Sequence, residues 1–302
     1  RRDIEDNGFQ GSWNISLGDG DDRIADGSFK NGDSVDMGAG NDNIDVRIDN
    51  NESYKPTNGT PSLSSFNMVK LDGGSGTDWL KFDDSGSDDG SEITLATGGA
   101  VNFENLVGTN WADTIRGDSG DNEIFGGDGA DTIYGGAGND ILLTVIPDRL
   151  VNTPNLIFSS TSKTTGSYDD NLYGQAGNDI LIAGSGDNTL DGGTGSDTIT
   201  TGSGDDTIIL RSGDGGSTLA DADTITDFTD GTDALGLDNG LQYSDLTIAQ
   251  GTGSNSSDTI ISKTDTSEYL TILTGISANN ISFFDFTYMG TDNQTLNGTS
   301  AN

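Results

Sequence analysis

Acidic side chains recur every nine residues along much of the chain, and each stands two residues before a large aliphatic residue. Carboxylate oxygens are ligands of hard cations such as calcium and magnesium, so a regular series of them can hold a series of ions. Unbroken nonapeptides fill 108–143 and 165–209, and further copies lie at 17–25, 37–45 and 73–81. The sixth position of the repeat, an acid or its amide, is occupied by Asp22, Asp33, Asp42, Asp78, Asp113, Asn122, Asp131, Asp140, Asp170, Asp179, Asn188, Asp197 and Asp206.

The rest of each repeat indicates the elements that position these acids. Its first six residues are rich in glycine and typical of turns, and its last three, such as Thr132-Ile133-Tyr134, fit a short strand whose middle side chain points inward. Two units make an 18-residue coil, and coils stack at the usual strand spacing of about 4.8 Å. We therefore expect an all-β fold, a parallel β-roll with a thin core of Ile and Leu, which suits a chain that is only 30% hydrophobic.

Acids 18 residues apart should lie one coil above the other on the same edge of the roll. The expected pairs are Asp113 with Asp131, Asn122 with Asp140, Asp170 with Asn188, Asp179 with Asp197, and Asn188 with Asp206. Stacked carboxylates repel each other unless a cation neutralises them, and turn carbonyls supply further oxygen ligands. Calcium fits better than magnesium because it accepts six or more oxygens in flexible geometry. Since Asn122 and Asn188 carry no charge, we expect their sites to bind calcium more weakly than the Asp179–Asp197 site.

The consensus GGxGxDxUx, in which U is a large apolar residue, resembles the nonapeptide of the RTX (repeats-in-toxin) family. The resemblance covers 17–45, 69–81 and 105–209, and Asn-Leu-Val-Gly-Thr at 105–109 resembles the usual entry to an RTX block. It implies a calcium-dependent β-roll in which turn carbonyls and the sixth-position aspartates bind several ions. The carbonyls implied as ligands belong to Gly127, Gly129, Gly136, Gly138, Gly184, Gly186, Gly193 and Gly195.

The C-terminal region resembles the end of RTX proteins that leave bacteria through a type I secretion system. The motif Asp-x-Ile-x-Asp-Phe at 223–228 is typical of the junction that follows the repeats. Strand-like alternation in 222–248 and 258–286 also fits a small β cap that closes the open end of the roll. A cap and an export signal are compatible, and the resemblance implies an extracellular or cell-surface protein of bacterial origin.

Two insertions interrupt the repeats, at 49–68 and 144–164. We expect an N-terminal roll segment at 1–107, a main roll at 108–210, and a cap with the secretion region at 211–302. Asp22 and Asp42 are 20 residues apart, so one turn carries two extra residues, and Asp42 can stack with Asp78 if the first insertion is an enlarged turn.

The second insertion is unusually apolar. It contains Val145, Ile146, Leu150, Val151, Leu156, Ile157 and Phe158. So apolar a loop is expected to find a partner, either by packing on the roll as a flap or by forming a self-association surface. The coil at 126–142 is the last regular one before this insertion, which makes it the place to test whether the roll is continuous.

Composition excludes several classes of partner. Lysine plus arginine total 13 against 50 aspartate plus glutamate, a net charge of −37, so nucleic acid and anionic membrane surfaces are disfavoured. The negative charges of such a chain repel each other when it is compact, and multivalent cations are the natural candidates to neutralise them. The chain has no cysteine for disulfides and no histidine for zinc or general-base chemistry. No apolar run approaches the roughly 18 residues that span a bilayer.

Catalysis is not expected, because a chain without histidine and cysteine lacks the common triads. A paired-carboxylate hydrolase remains formally open, but most acids belong to the repeat register. Our first interpretation is a secreted calcium-binding protein that folds on binding calcium and self-associates as a structural subunit of an S-layer, filament or surface coat. The alternatives are a calcium-dependent adhesin that recognises a cell-surface glycan, and the C-terminal RTX portion of a longer secreted hydrolase or toxin.

Overall fold

A computed structural model describes residues 3–5, 14–27, 34–47, 70–83, 92–95, 100–144 and 167–289. These residues form 25 strands in three sheets, and the turns near the C-terminus contain short 3-10 helices at Leu219–Asp221, Tyr243–Asp245, Gly253–Asn255 and Phe283–Asp285. The all-β expectation is therefore confirmed. No helix in the described ranges is long and apolar enough to span a membrane.

The largest sheet runs along the whole described chain and has 13 strands. Their spatial order is β1 (Asp3–Glu5), β3 (Arg23–Gly27), β5 (Asn43–Arg47), β7 (Trp79–Asp83), β10 (Asn105–Val107), β12 (Glu123–Phe125), β14 (Ile141–Leu143), β16 (Ile180–Ile182), β18 (Thr198–Thr200), β20 (Asp223–Ile225), β24 (Tyr269–Leu273), β23 (Thr259–Lys263) and β22 (Leu246–Gln250).

Two smaller sheets supply the other half of each coil. The first has four strands in the order β2 (Asn14–Ser16), β4 (Ser34–Asp36), β6 (Lys70–Asp72) and β9 (Ala100–Val101). The second has eight strands in the order β25 (Phe286–Tyr288), β21 (Ala234–Leu237), β19 (Thr207–Leu210), β17 (Thr189–Thr194), β15 (Asn171–Ala176), β13 (Thr132–Ala137), β11 (Thr114–Arg116) and β8 (Glu92–Thr94).

The strands of the repeats pair in parallel and in the predicted register. Ile115 aligns with Ile133, and Leu190 with Ile208, each 18 residues further along the chain. One aliphatic residue per strand enters a shared core that joins the sheets. The fully buried members include Ile24, Val35, Ile44, Leu80, Ile115, Ile124, Ile133, Leu142, Leu172, Leu181, Leu190, Ile199 and Ile208.

The roll is continuous past both insertions. The coil at 126–142 pairs directly with the one that follows the second insertion, since Ile133 aligns with Leu172 and Leu142 with Leu181. β5 likewise pairs with β7 across the first insertion. The strands on either side of each insertion are thus neighbours in the stack. Residues 49–68 and 145–164, where we expected an enlarged turn and either a flap or a self-association surface, lie outside the described residues.

Some strands are longer than the three residues that the repeat predicts. β13, β15 and β17 each have six residues, because inter-coil pairing continues into the next turn, where Gly136 aligns with Gln175. Gly136 has a φ of 118°, a left-handed conformation that glycine adopts without strain. The stretch at 82–104, which has no recognisable nonapeptide, also contributes strands β8 and β9 and the buried side chains of Leu95 and Phe103.

The C-terminal region closes the stack as the cap expectation proposed. β24 pairs with β20 in parallel, and β23 and β22 then add in antiparallel order. On the other sheet, β25 pairs in parallel with β21. Phe228, Leu241, Leu270 and Ile281 bury their side chains in the same core, so the cap and the roll fold as one unit.

We predict that Ile133→Ala in the calcium-loaded protein lowers the free energy of unfolding by about 2–4 kcal/mol, because it leaves a cavity at a fully buried site. Thr132→Ala, on the outward face of the same strand, should change it by less than about 0.5 kcal/mol. Denaturant unfolding at fixed, saturating calcium measures both. Equal losses for the two variants would contradict the assignment of the inward row.

Candidate metal centre

The sixth-position side chains stand immediately before strands and are buried. Asp33 lies outside the described residues, and each of the others is at most 4% exposed. They form two rows. One precedes strands of the 13-stranded sheet and contains Asp22, Asp42, Asp78, Asn122, Asp140, Asp179 and Asp197, and the other precedes strands of the eight-stranded sheet and contains Asp113, Asp131, Asp170, Asn188 and Asp206.

A main-chain hydrogen bond joins each such residue to the next coil. The Asp113 N–H donates to Asp131 Oδ1 at 2.9 Å, and the Asp179 N–H donates to Asp197 Oδ1 at 2.8 Å. The stacked residues are thus brought together as the 18-residue spacing predicts, but a carboxylate oxygen meets a backbone amide where we expected two carboxylates to face each other. The amide fixes the orientation of the carboxylate that accepts it. At Asp113 the Thr109 N–H of the same turn donates to Oδ2 at 2.6 Å.

The rows continue past the insertions without a gap. The Asp131 N–H donates to Asp170 Oδ1 at 2.8 Å, and the Asp140 N–H to Asp179 Oδ1 at 2.7 Å, although these partners are 39 residues apart. Near the N-terminus, Asp22 and Asp42 make the same bond at 2.7 Å, as do Asp42 and Asp78. The number of residues in a coil therefore varies, whereas each acid still lies within hydrogen-bond distance of the acid one coil away.

The second carboxylate oxygen has a different environment. It is buried and has no hydrogen-bond partner among the described residues in Asp42, Asp78, Asp131, Asp140, Asp179, Asp197 and Asp206. In five of the seven it lies against the glycine that opens the same repeat, and a β-carbon on Gly126, for example, would overlap Asp131 Oδ2. A buried, unpartnered carboxylate oxygen is costly, so its recurrence indicates that a ligand normally occupies this position.

The glycines implied as carbonyl ligands lie in the turns beside these oxygens. All except Gly184 have positive φ, with values between 90° and 145°: Gly127, Gly129, Gly136, Gly138, Gly186, Gly193 and Gly195. The Gly184 carbonyl accepts the Ser203 N–H at 2.9 Å, which leaves a second lone pair for an ion. None of these carbonyls is directly tested as a ligand, and they remain predictions.

One asparagine competes for oxygens that are expected to bind calcium. The Asn188 side-chain amide donates to the Gly186 carbonyl at 3.0 Å and to Asp206 Oδ1 at 2.9 Å. A cation would have to displace these bonds, and asparagine adds no charge. The geometry therefore gives a second reason to expect a weak site at Asn188.

A second ladder, which the repeat pattern did not reveal, runs along the exposed surface of the turns. The side chain at the fifth position accepts the N–H of the fifth residue one coil later, as in Asn139 to Asp121 at 2.8 Å and Asn178 to Asn139 at 2.8 Å. Asp187 and Asp169 are joined in the same way at 2.8 Å. The frequent Asn or Asp immediately before the sixth-position acid could have predicted this ladder from the sequence, because both side chains can accept a backbone hydrogen bond in a turn.

Three further acids extend the two rows. The Asp78 N–H donates to Glu104 Oε2 at 2.8 Å, the Asp197 N–H to Asp223 Oδ1 at 2.9 Å, and the Asp206 N–H to Asp233 Oδ1 at 3.2 Å. None of the three follows the glycine consensus. Each does stand two residues before a core aliphatic residue, as in Asp223 and Ile225, and that shorter pattern could have identified them.

Burial raises the pKa of eight carboxyl groups in the two rows, those of Asp42, Asp78, Asp131, Asp140, Asp170, Asp179, Asp197 and Asp206. It raises the pKa of Asp140, Asp170 and Asp206 to about 6 and that of Asp78 and Asp179 to about 7, and neighbouring acids add to the effect in most cases. Burial is most complete at Asp131, where it raises the pKa of the carboxyl group to about 9. Without cations, several of these groups therefore hold protons near neutral pH, because the charged form is poorly solvated.

The residues present fit calcium. Seven of the positions offer a carboxylate oxygen without a hydrogen-bond partner among the described residues, next to turn carbonyls, and such an all-oxygen set suits a hard cation. Within the described ranges no group of three or more acidic, histidine or cysteine side chains converges on one point. A site here must therefore combine one or two carboxylates with backbone carbonyls, and calcium bound there would neutralise the buried charge.

Comparisons with known proteins agree with this donor set. The profile of the RTX calcium-binding nonapeptide repeat matches residues 107–142, 164–199 and 182–215. No curated protein matches the chain.

The solved structures to which the chain is similar include two bacterial proteins. One is the extracellular lipase LipA from Serratia marcescens, at 18% identity and a TM-score of 0.28, with 69% of this chain and 42% of the lipase covered. This chain thus spans less than half of the lipase. The other is the AlgE6R3 subunit of the mannuronan C5-epimerase from Azotobacter vinelandii, at 22% identity and a TM-score of 0.22, with 62% of this chain and 84% of that subunit covered.

The raised pKa values predict an unusual pH dependence. Between about pH 4 and 7 the calcium-free fold binds more protons than the unfolded chain, so its stability should fall as the pH rises through the folded-state pKa values of about 6 to 7. Calcium affinity should rise over the same range, because protons and calcium compete for the same oxygens. Circular dichroism in chelator from pH 4.5 to 8, with calcium titrations beside it, measures both trends, because any β signal at the acid end should be lost towards neutral pH. A calcium-free β signal that grows as the pH rises would contradict them.

Proposed function

We propose, from the premise that this chain carries the calcium-binding nonapeptide repeats of the RTX family, that it is a secreted protein which folds on binding calcium outside the cell. We further propose that the folded roll serves as a structural extracellular component, a subunit of an S-layer, filament or surface coat. It acts through its folded shape and its surface, without catalysis.

The observation that carries calcium-coupled folding is the pair of buried carboxylate rows. Seven of the carboxylates keep an oxygen without a hydrogen-bond partner among the described residues, and adjacent groups raise each other's pKa. The ion pairs of Arg23, Lys81, Arg211 and Lys263 go to other acids. Bound cations are therefore the available source of positive charge for the rows.

The difference in calcium concentration between the inside and the outside of a cell makes calcium-dependent folding useful for secretion. Sites of extracellular modules typically bind calcium with a Kd of about 10⁻⁴–10⁻³ M, and each occupied site adds RT ln(1 + [L]/Kd) to the stability of the fold. At the low calcium concentration inside a cell the acidic chain stays unfolded and can be exported. Outside, binding of many ions and formation of the roll occur together.

The structural role is supported by the elements that the described residues form. Repeats and their cap fill most of it, so little chain is left for a separate catalytic domain within the described ranges. The absence of histidine and cysteine removes the common catalytic triads. A roll also presents long, regular faces, which suit contacts between copies.

Circular dichroism and electron microscopy test the two parts of this proposal separately. We expect little β signal in chelator, a cooperative gain of β signal with millimolar calcium, and ordered arrays or fibres of the calcium-loaded protein. Equal β content with and without calcium would contradict coupled folding. A calcium-loaded protein that folds but stays monomeric at high concentration would contradict the structural role alone.

A specific surface feature favours the adhesin as a second candidate. Tyr134 and Tyr173 stack on neighbouring coils, with ring centroids 5.0 Å apart and planes inclined by 12°. They line a cavity of about 290 Å³ together with Arg211, Asp191 and Asp214. Aromatic faces next to fixed charged and polar groups suit a polar ligand with apolar faces, such as a sugar.

An array of neutral and acidic oligosaccharides, probed in calcium, tests this second candidate. Binding that falls at least tenfold in Tyr173→Ala, and is retained in Tyr168→Ala at an exposed turn, would support an adhesin. Absence of glycan binding, or binding that Tyr173→Ala leaves unchanged, would exclude this cavity. The third interpretation, the C-terminal portion of a longer hydrolase or toxin, is decided by whether the reading frame continues upstream into another domain.

A further inference from the structure

Gln175 is held in a backbone conformation that usually belongs to glycine. Its φ is 79°, and it occupies the second position of its repeat. The aligned residues on the neighbouring coils are Gly136 and Gly193. A residue with a β-carbon is strained at positive φ, and strain of this kind is found most often at sites of function. The side chain of Gln175 is therefore a candidate for a role that glycine could not perform.

The side chain of Gln175 lies at the cavity of about 290 Å³ that Tyr134 and Tyr173 also line. Its aligned neighbours are both glycine, so no side chain at those two positions covers it. The residue is exposed, and its amide makes no hydrogen bond to the described residues. The amide can therefore both donate and accept hydrogen bonds with a ligand in the cavity.

Tyr173 presents one ring face to the same cavity. Its other face stacks on Tyr134, with ring centroids 5.0 Å apart. Tyr134 is covered on both sides, because the Arg116 guanidinium lies 3.9 Å from its ring centroid and β13 stands between β11 and β15. The order of the strands turns the remaining face of Tyr173 toward β17, whose Asp191 and Gly193 line the cavity. An aromatic face in this position can support the apolar face of a sugar ring.

The charges around the cavity disfavour an anionic ligand. Two N–H groups of Arg211 donate to the Asp191 carboxylate, and Arg211 Nε donates to Asp238 Oδ2 at 2.8 Å. Asp214 Oδ2 lies 3.6 Å from the same guanidinium. Three carboxylates thus surround one arginine, and Arg116 lies beyond the two stacked rings. A sugar that carries a carboxylate or sulfate would be repelled, whereas an uncharged sugar would not.

We propose that this cavity binds one uncharged hexose unit of a glycan, with Tyr173 as the stacking platform and Gln175 as the residue that determines specificity. The inference rests on the adhesin alternative and adds the class of sugar and the residue that selects it. The cavity lies at the small end of the range of about 300–1,000 Å³ for ligand pockets, which suits a single ring. The glutamine amide bonds sugar hydroxyls without adding charge, which accounts for its presence where glycine would be less strained.

Gln175→Gly separates binding from stability, because it restores the glycine of the repeat. We expect it to raise the denaturant midpoint of unfolding in saturating calcium by relieving the strain at φ 79°. The same variant should bind the best neutral oligosaccharide of the array at least about tenfold more weakly, since it loses the amide.

Ser267→Gly is the matched control. Ser267 also has a positive φ, of 59°, and it is exposed in the connection between β23 and β24. It does not line the cavity. We expect this variant to raise the unfolding midpoint in the same way and to leave the glycan affinity within about twofold of the natural chain, because only strain is removed.

Paired oligosaccharides that differ only by oxidation of a hydroxymethyl group to a carboxylate test the charge argument. Isothermal titration calorimetry at fixed calcium concentration should show that the uncharged member binds at least about tenfold more tightly. Asp214→Asn should reduce this preference about threefold, because it removes one of the charges that repel the carboxylate.

The outcomes distinguish failure of the inference from failure of the adhesin alternative. Glycan binding that Gln175→Gly leaves unchanged would overturn the inference and keep the adhesin. Equal or tighter binding of the carboxylated member would do the same, as would a Gln175→Gly variant that loses stability together with binding. Absence of binding to any glycan by the calcium-loaded chain would overturn both.

Discussion

The whole structure depends on burying one carboxylate at the start of most strands of the repeats. A carboxylate needs hydrogen bonds or a counter-charge when it leaves water, and here the protein supplies only half of that requirement. One oxygen receives the backbone N–H of the preceding coil, while the other, as in Asp140 and Asp179, stays unpartnered among the described residues. We propose that cations supply the other half, so that the stability of the fold depends on them.

The other features of the repeat follow from that constraint. Glycine stands first in the repeat because the carboxylate oxygen lies where a β-carbon would be, as at Gly126 and Gly192. Glycine recurs in the turn because neighbouring coils approach so closely that a β-carbon on Gly177 would overlap the Gly138 carbonyl. The aliphatic residue two positions after the acid fixes the strand from the inside. Acid, glycine and aliphatic residue thus act together, and a core of one side chain per strand is enough.

The regular part of the molecule was predictable from the sequence, because in a solenoid each unit contacts mainly the units directly above and below it. The nine-residue period gave the inward row, the register of Ile115 with Ile133 and the stacking of the acids. The period did not predict which groups contact the two oxygens of each carboxylate. That the second oxygen faces a glycine while the first meets an amide is a property of turn geometry, which a pattern of residue types does not encode.

The irregular segments could not be predicted from the sequence for a different reason. Glu104 and Asp233 take places in the carboxylate rows without any glycine consensus, since the backbone around them reaches the same position by another route. Strand β9 at Ala100–Val101, which pairs with β6, and the burial of Phe125 also depend on contacts between residues distant in sequence. Periodicity identifies what repeats, whereas these features arise where the repeat is broken.

Diffraction from crystals grown in calcium, with the anomalous signal of the ion, tests the central claim most directly. The account predicts ions along both turn edges, each about 2.3–2.6 Å from the carboxylate oxygen that lacks a hydrogen bond, as in Asp140, Asp179 and Asp197. Ions found only at exposed acids, with these buried oxygens hydrogen-bonded to water or protonated, would contradict it.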